Sequence, residues 1–421
     1  MTSIIVVGAG IGGLSLALEL HARGHPCRIF EAAPSIKPVG VGLNILPYAS
    51  RELHRLGLDE ELGRASMMPR WGAYASRAGQ VLLREPLGIA SGSSFPQYSI
   101  HRASLQDILL RAVQRRLGED AILLGHGLTR FEQDADEVRA IFNDRITVHG
   151  DILVGCDGIH SAVYRQLYPE GACLPLRPSG VTMWRGITRN ISMLGQETVL
   201  RCGRIETGKL VAYPVRQPDT PEEIVMNWVA ELRDRRDSTK HQKEGMPSTV
   251  PDIFLSWKFD WFDVEFLVRN AEFVLQLPMV DRDPLQRWSH GRVTLLGDAA
   301  HPMYPVGSNG AGQAILDAVA LADCLDMDDI VASLQAYDER RRPLTADIVR
   351  SDRAGGPDIV LDGIEEATHG RVVSVDTEVT VATQLRGLLD SYRRESGLAS
   401  NGLSVASGRR LSSESLVEGQ V

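Results

Sequence analysis

The chain has 421 residues, 43% of them hydrophobic and 24% charged, enough for two or three domains with large cores and ordinary for a globular protein. A formal net charge of −9 and the lack of any basic stripe exclude a nucleic-acid-binding role. Five scattered cysteines (Cys27, Cys156, Cys173, Cys202 and Cys324) form no CxxC or metal-ligand spacing, the apolar start lacks a basic leader, and no run reaches membrane-spanning length uncharged. A cytoplasmic protein with free thiols, no metal and no membrane association is expected.

In chain order, Ile4-Ile5-Val6-Val7 reads as a buried parallel strand, followed directly by Gly8-Ala9-Gly10-Ile11-Gly12-Gly13. A helix carrying Leu14, Leu16, Leu18 and Leu20 ends near Gly24, and a second strand, 27–30, closes at Glu31. This places a dinucleotide fingerprint in the setting it requires. Gly8 allows the tight turn, Gly10 lets backbone approach a pyrophosphate, Gly13 lets helix pack on strand, and Glu31 is placed for a ribose hydroxyl pair. The competing reading is a structural glycine-rich turn. An acid at that strand end disfavours a 2′-phosphate, so the nucleotide half reads as the unphosphorylated adenosine of FAD or NAD.

Gly40-Val41-Gly42-Leu43-Asn44 brings backbone close to something flat or makes a simple turn, and a helix follows at about 49–56. Residues 76–100 read as a strand excursion around 80–83 with a Gly/Ser turn at 91–94. Tyr98-Ser99-Ile100-His101-Arg102 then precedes an amphipathic helix with Leu105, Ile108, Leu109, Ala112, Val113 and Leu117 on one face, started by Ser104 and Asp107 and stopped by Gly118. Short strands at 121–124, 137–142 and 146–148 lead to 151–161 (DILVGCDGIHS), again strand, Asp-Gly and helix start. From about 170 to 280 the texture is β, with strands at 181–184, 209–213, 224–228 and 273–276 and a polar insert at 231–249.

A third corner follows at 293–318 (VTLLGDAAHPMYPVGSNGAGQAILDA): a buried strand, a break at Gly297-Asp298, a glycine-rich loop, and a helix from about Gln313. Backbone N–H groups at such a helix start suit an anionic or acceptor-rich ligand. Asp298 facing a phosphate would be repelled, so it reads as an acceptor for a polyol hydroxyl, as reaching phosphate through water, or as a turn cap. Helices run on to about 353, and the Ser-, Gly- and Arg-rich tail 395–421 reads as disordered.

The segments GAGIGGLSLAL…FEA, HRASL, GCDGIHSAV and LLGDAAHPMYPVGSNGAGQAILDA together resemble the single-component FAD-dependent aromatic hydroxylases, the para-hydroxybenzoate hydroxylase family, over nearly the whole chain to about residue 355. YSIHR, TMWRG, LVAYP, NWV, WFD and LPMVDRDPL look most like its phenazine-carboxylate monooxygenase branch. The resemblance implies an α/β fold: a discontinuous Rossmann-like FAD-binding domain (1–75, 101–170 and 279–355), an inserted β-sheet-rich substrate domain (76–100 and 171–278) and a C-terminal helical segment (356–394). It implies non-covalent FAD, with Gly8, Gly10, Gly13 and Glu31 at the ADP half and Arg102 at the pyrophosphate. Asp298 would meet the ribityl or pyrophosphate region, and Pro305, Gly307, Gly310 and Ala311 would present backbone at the flavin pyrimidine edge. Asp157 and Gly158 belong to a motif tied to both FAD and NAD(P)H.

The implied reaction uses NADH or NADPH and dioxygen to hydroxylate a small aromatic or heteroaromatic molecule through a flavin C4a-hydroperoxide, in a monomer or homodimer. One departure stands out. The family reads DG-x-x-S-x-V-R, but this chain has Tyr164 at the arginine position and Arg165 one residue on, rotated about 100° around a helix.

Pocket candidates are Tyr213, Trp184, Met303 and Tyr304, each of which also reads as core or sheet cover. His301 reads as a base or as a structural histidine, Arg185 as a holder of a substrate carboxylate or as half of an ion pair, and Arg282, between Asp281 and Asp283, as part of a structural ion network. Competing functional readings are another flavoenzyme, either a halogenase or an oxidase/dehydrogenase, and a non-catalytic flavin-binding protein. The 257–262 stretch (WKFDWF) does not match the halogenase W-x-W-x-I-P pattern. No Ser/His/Asp, zinc or paired-carboxylate arrangement offers rival chemistry.

Overall fold

The computed structural model describes residues 3–36, 40–169, 172–191, 193–233, 243–245, 249–326 and 328–395. Of the tail 395–421 expected to be disordered, Glu395 ends a helix and the rest lies outside the described residues, as does most of the polar insert.

Apolar strands too short to span a domain alone are buried here by stacking side by side. Five parallel strands form one sheet in the order Val293–Leu295, Ile152–Gly155, Ile4–Val7, Cys27–Phe30, Ile122–Leu123. All four residues of Ile4–Val7 are buried, as a strand covered on both faces must be. Helices Ile11–Ala22, Arg102–Leu117 and Gly310–Cys324 pack on this sheet and share its core. The mixture of a parallel α/β domain, a sheet-rich domain and C-terminal helices is the fold class the sequence predicts.

The second domain is an eight-stranded sheet, ordered Lys243–Gly245, Ala271–Asp281, Arg177–Thr188, Ile224–Arg233, Gly208–Arg216, Thr198–Arg204, Trp71–Ala75, Val81–Pro86. Side chains alternate along its strands. Trp184, Leu200, Cys202, Leu210, Ala212 and Trp228 face one way, into a core closed by Phe254, Trp257, Phe262 and Leu267. Met183, Arg185, Lys209, Tyr213, Asn227 and Glu231 occupy the intervening positions. Two C-terminal helices, Ile359–Thr368 and the longer Val375–Glu395, pack Val360, Leu361, Ile364, Val381 and Leu385 against Tyr74, Leu82 and Leu83 of the edge hairpin.

Several boundaries differ from the sequence reading. Trp71–Ala75 pairs with both Val81–Pro86 and Thr198–Arg204, so the large sheet takes in chain before residue 76 and, through Asp281, past 278. Conversely, Tyr98–His101 pairs with Gly42–Ile45 in a small sheet, making the 40–44 glycine stretch partly a strand. Strands Leu128–Gln133 and Thr198–Arg204 escape the sequence reading because their alternation is interrupted by arginines and exposed polar residues. Among the described residues, no helix is long and apolar enough to cross a membrane.

Candidate cofactor and active site

The register of the parallel sheet decides where the glycine corners lie. Val7 stands beside both Gly155 and Phe30, and Gly155 stands beside Leu295. The loops that follow (8–13, 156–161 and 296–309, with Glu31 after Phe30) therefore leave the same carboxyl edge of one sheet, where open α/β sheets bind ligands. Backbone bonds lace the corners together: the Gly8 N–H donates to Phe30 O at 2.8 Å, Cys156 N–H to Val7 O at 2.8 Å and Leu296 N–H to Gly155 O at 2.9 Å.

The fingerprint glycines have separate physical reasons. Gly8 has φ +103°, and a Cβ there would stand 2.6 Å from Cys156 O. A Cβ on Gly13 would stand 2.1 Å from Gly8 O, so only glycine permits this helix–turn contact. Gly10 is different, since a Cβ would meet nothing within 4 Å. It faces open space at the start of Ile11–Ala22, whose N-cap offers no side-chain acceptor to the first-turn amides. The helix Gly310–Cys324 likewise lacks a side-chain N-cap bond, and it begins three residues earlier than Gln313 because Asn309 O already accepts from Gln313 N–H at 2.8 Å. Two uncapped helix starts and an open glycine at one sheet edge fit an anionic, acceptor-rich dinucleotide cofactor.

The acids at the corners do distinct things. Glu31, half-buried, accepts from Ala9 N–H at 2.8 Å and Ala33 N–H at 2.9 Å, which ties the fingerprint loop to the next strand. Asp157 accepts from Ala162 N–H at 2.7 Å and Val163 N–H at 3.2 Å, so it locks the second corner while its other oxygen has no partner. Burial raises the Asp157 carboxyl above the usual carboxylate range. Gly158 sits in the left-handed region at φ +74° with open space beside it. Asp298 opens to solvent although protein surrounds it, the setting of a side chain on the wall of a hollow. Burial pushes its carboxyl up, opposed by His301, Arg102 and Arg282. Arg102, exposed at the start of its helix beside Gly40, therefore shares the Asp298 corner. Gln106, which the sequence reading passed over, donates to Ala9 O at 2.8 Å and fixes that helix to the fingerprint.

The loop containing Pro305 and Gly307 is exposed at Pro305, turns through Ser308 at φ +57°, and is anchored on both sides. Its Tyr304 and Val306 pack with Val181, Met183, Val229 and Met279 of the large sheet. Beneath it, Tyr48 Oη donates to Asn309 Oδ1 at 3.0 Å, and Gln313 Nε2 donates to Tyr48 Oη at 3.3 Å. Arg341 then bonds Gln313 Oε1 at 2.6 Å and Asp317 Oδ1 at 2.7 Å. His301 belongs to this same network, Nε2 to Asp317 Oδ2 at 2.6 Å and buried, so the structure assigns it a structural part rather than that of a free base.

Two other candidates separate by sheet face. Trp184 lies in the core beneath residues 254–267, away from the opposite face, and is a core side chain. Tyr213 is buried on that opposite face, in register with Asn227, and its ring approaches Gly42. Asn227 Oδ1 accepts from Gly42 N–H at 2.6 Å, and Arg185 donates to Gly42 O at 2.9 Å, so this cluster sits on the seam between the two domains. Among the described residues Arg185 forms no ion pair, and its Nε has no partner. The expected network around Arg282 is also rearranged. Asp281 and Asp283 pair with Arg353, while Arg282 turns the other way, bonding Ile159 O at 3.1 Å and Ala299 O at 3.5 Å and stacking 3.9 Å from the Tyr164 ring centre. A guanidinium thus reaches the second corner over the very tyrosine that replaces the family's arginine.

The family pattern described as FAD binding domain matches residues 1–352. Phenazine 1,6-dicarboxylic acid hydroxylase of Lysobacter antibioticus is 39% identical over 405 residues, 93% of this chain and 96% of the relative. A 3-amino-4-hydroxybenzoate 2-monooxygenase of Streptomyces cremeus is 32% identical over 357 residues, 83% of this chain and 86% of the relative. The Klebsiella pneumoniae protein HpxO, solved with FAD and uric acid, shares the fold with a TM-score of 0.75 at 23% identity, over 94% of this chain and 96% of that one. With the corners gathered on one sheet edge and these likenesses spanning both domains, the chain belongs to the FAD-binding-domain family of single-component flavin-dependent aromatic hydroxylases.

Proposed function

We propose that this protein is an FAD-dependent monooxygenase that uses NADH or NADPH and dioxygen to hydroxylate an aromatic or heteroaromatic acid, acting as a cytoplasmic monomer or homodimer. The observation that carries the reading is the convergence of three glycine corners on the carboxyl edge of one parallel sheet, with a loop that packs directly onto the eight-stranded sheet of the second domain. When bound, FAD supplies the electron transfer and oxygen activation that no side chain provides. The chain's own residues bind, orient and exclude water. Gly10 and the uncapped helix start would receive the pyrophosphate, with Arg102 to neutralise it, and Asp298 would accept from a polyol hydroxyl. The amides around Gly307, Gly310 and Ala311 would hold the flavin ring end and offer it preorganised donors. Pro305, exposed on that loop, would cover that end from water. The open Gly158 and the Arg282 guanidinium above Tyr164 make the second corner a place where a dinucleotide phosphate is tolerated.

For the substrate, Arg185 supports an anionic ring. A half-buried guanidinium without a carboxylate partner costs desolvation energy that an incoming carboxylate offsets, and Tyr213 lies beside it as a second donor. Replacing Arg185 by Met is expected to raise KM for phenazine-1-carboxylate about tenfold to a hundredfold, the worth of a charged hydrogen bond, with FAD content unchanged. An unchanged KM would show that the carboxylate lies elsewhere. The function itself is tested on purified protein. It should be yellow, its NAD(P)H oxidation should accelerate with an aromatic acid, and label from 18O2 should enter the product. Protein unable to take up FAD would end the proposal.

A further inference from the structure

A cavity of about 430 Å3 lies where the end of helix Ile330–Arg353, the helix Ile359–Thr368 and the large sheet meet. Its volume falls within the range of small-molecule sites and suits two or three fused rings. One wall is apolar: Val181, Met279, Tyr304 and Val306, so the cavity backs onto the loop that carries Pro305 and Gly307. The opposite side is lined by Lys209, Asp352 and Asp358, which are 2%, 3% and 6% exposed.

The charges around this space are unevenly satisfied. Every cation lining it has a carboxylate: Arg177 pairs with Asp283, Arg353 with Asp281 and Asp283, Arg204 and Arg233 with Glu206, and Lys209 with Glu231 and Asp358. The acids are short of donors. Both carboxyl oxygens of Asp352 and Oδ1 of Asp358 are buried without any hydrogen-bond partner. An anionic group entering here would find no free cation, whereas a group carrying N–H or O–H bonds would satisfy acceptors that burial otherwise leaves costly. Burial beside Asp358 and Asp281 pushes the Asp352 carboxyl up to about 8, in keeping with an acid that lacks stabilising donors. Nor is a metal ion the natural occupant, since among the described residues no group of three or more His, Cys, Asp or Glu side chains is arranged to hold one.

Building on the proposed function, we infer that this cavity takes the end of a planar aromatic substrate that bears a hydrogen-bond donor, an aryl amine in the first instance, directed at Asp352 and Asp358 and packed between Val181, Met279, Tyr304 and Val306. This donor-seeking pole stands apart from Arg185 at the seam, which does not line the cavity and lies four residues along the same strand from Val181. A ring presented to the flavin loop from this side is held by its substituents rather than by its faces alone.

The test uses the FAD-loaded full chain with two probes that differ in one substituent, 2-aminophenazine and phenazine, with dissociation constants read from quenching of protein fluorescence. The wild type is expected to prefer 2-aminophenazine at least tenfold. In Asp352→Leu, which removes both carboxyl oxygens at similar volume, the preference should fall below threefold while phenazine binds as before, which also reports an intact fold. Val181→Phe fills the apolar end and should weaken both probes at least tenfold. Equal affinities in the wild type, a preference retained by Asp352→Leu, or full binding of both probes by Val181→Phe would each overturn the inference. Failure of this kind in a protein that still holds FAD and turns over leaves the monooxygenase reading standing. Loss of FAD uptake in the wild type is the separate result that would remove it.

Discussion

Lys209→Met is expected to lower the stability of the protein by about 3–5 kcal/mol, the cost of removing one partner from a buried ion pair. Lys209 donates to Glu231 Oε2 at 2.8 Å and to Asp358 Oδ2 at 2.5 Å. Burial alone would lower its ammonium, but the two carboxylates outweigh that and hold it above the ordinary lysine range. Without the cation, Glu231 and Asp358 remain inside as like charges. Asp358 is already pushed up to about 6, by burial first and by Glu231 against the pull of Lys209, so it is the acid that will take up a proton. The damage should be local in its first consequence. Asp358 opens the C-terminal helical segment, and Lys209 sits at the start of the strand Gly208–Arg216 in the large sheet, so this pair rivets one to the other. Limited proteolysis of Lys209→Met should therefore release the segment after residue 356 well before the parallel-sheet domain is cut, and the urea midpoint should drop accordingly. Adding Glu231→Gln should recover part of the loss, because it removes one of the two stranded charges. A Lys209→Met protein with the wild-type midpoint would mean that the pair contributes nothing net.

Lys209 also shows where reading the sequence stops. A lysine between Gly208 and Leu210 looks like any strand-edge cation. Only the pairing of Gly208–Arg216 with Ile224–Arg233 puts it opposite Glu231, and only the fold-back of the chain near residue 358 supplies the second acid. The corners were legible for the opposite reason. Each obeys a condition confined to a few residues: a positive φ at Gly8, Gly158 and Gly297, and a strand ending and a helix beginning on either side. Their convergence also follows from local pattern, since right-handed parallel crossovers bring successive strand ends to one edge. What a long strand's side chains face does not. Trp184 and Arg185 are neighbours in sequence, yet one is core and the other lies on the seam, and a shift of one residue in register would have exchanged them. Arg282 is subtler still. Its flanking acids suggest an ion network, but extended backbone sends neighbours to opposite sides, so Asp281 and Asp283 reach Arg353 while Arg282 crosses to Ile159, Ala299 and the Tyr164 ring. The helix start at Gly310 was misjudged because Gly310, Ala311 and Gly312 carry no apolar periodicity, and Gly312 is required by the Tyr48 hydroxyl 2.7 Å from where its Cβ would be.

The second large effect separates a glycine needed by the protein from one needed by its ligand. Gly10→Val is expected to leave the fold nearly unchanged and to lower FAD affinity at least a hundredfold. No protein atom lies within 4 Å of a Cβ at this position, and the residue is an N-cap in extended conformation, φ −75° and ψ −178°, which valine adopts readily. The apo protein should therefore melt within a few degrees of apo wild type. The added methyls project instead into the open space over the first turn of Ile11–Ala22, where backbone amides stand without a side-chain cap and a pyrophosphate must come close. Gly13→Ala makes the informative contrast. Its Cβ would stand 2.1 Å from Gly8 O, backbone against backbone, so the turn must open or the helix must lift off the strand. That variant should lose stability and FAD together, by a shift in melting temperature visible without cofactor. Calorimetry of both apo variants alongside flavin titration distinguishes the two failures. If Gly10→Val instead kept one FAD per chain at wild-type affinity, the cofactor would lie somewhere other than over this helix start, and the roles given to Arg102, Asp298 and the Gly307 loop would fall with it.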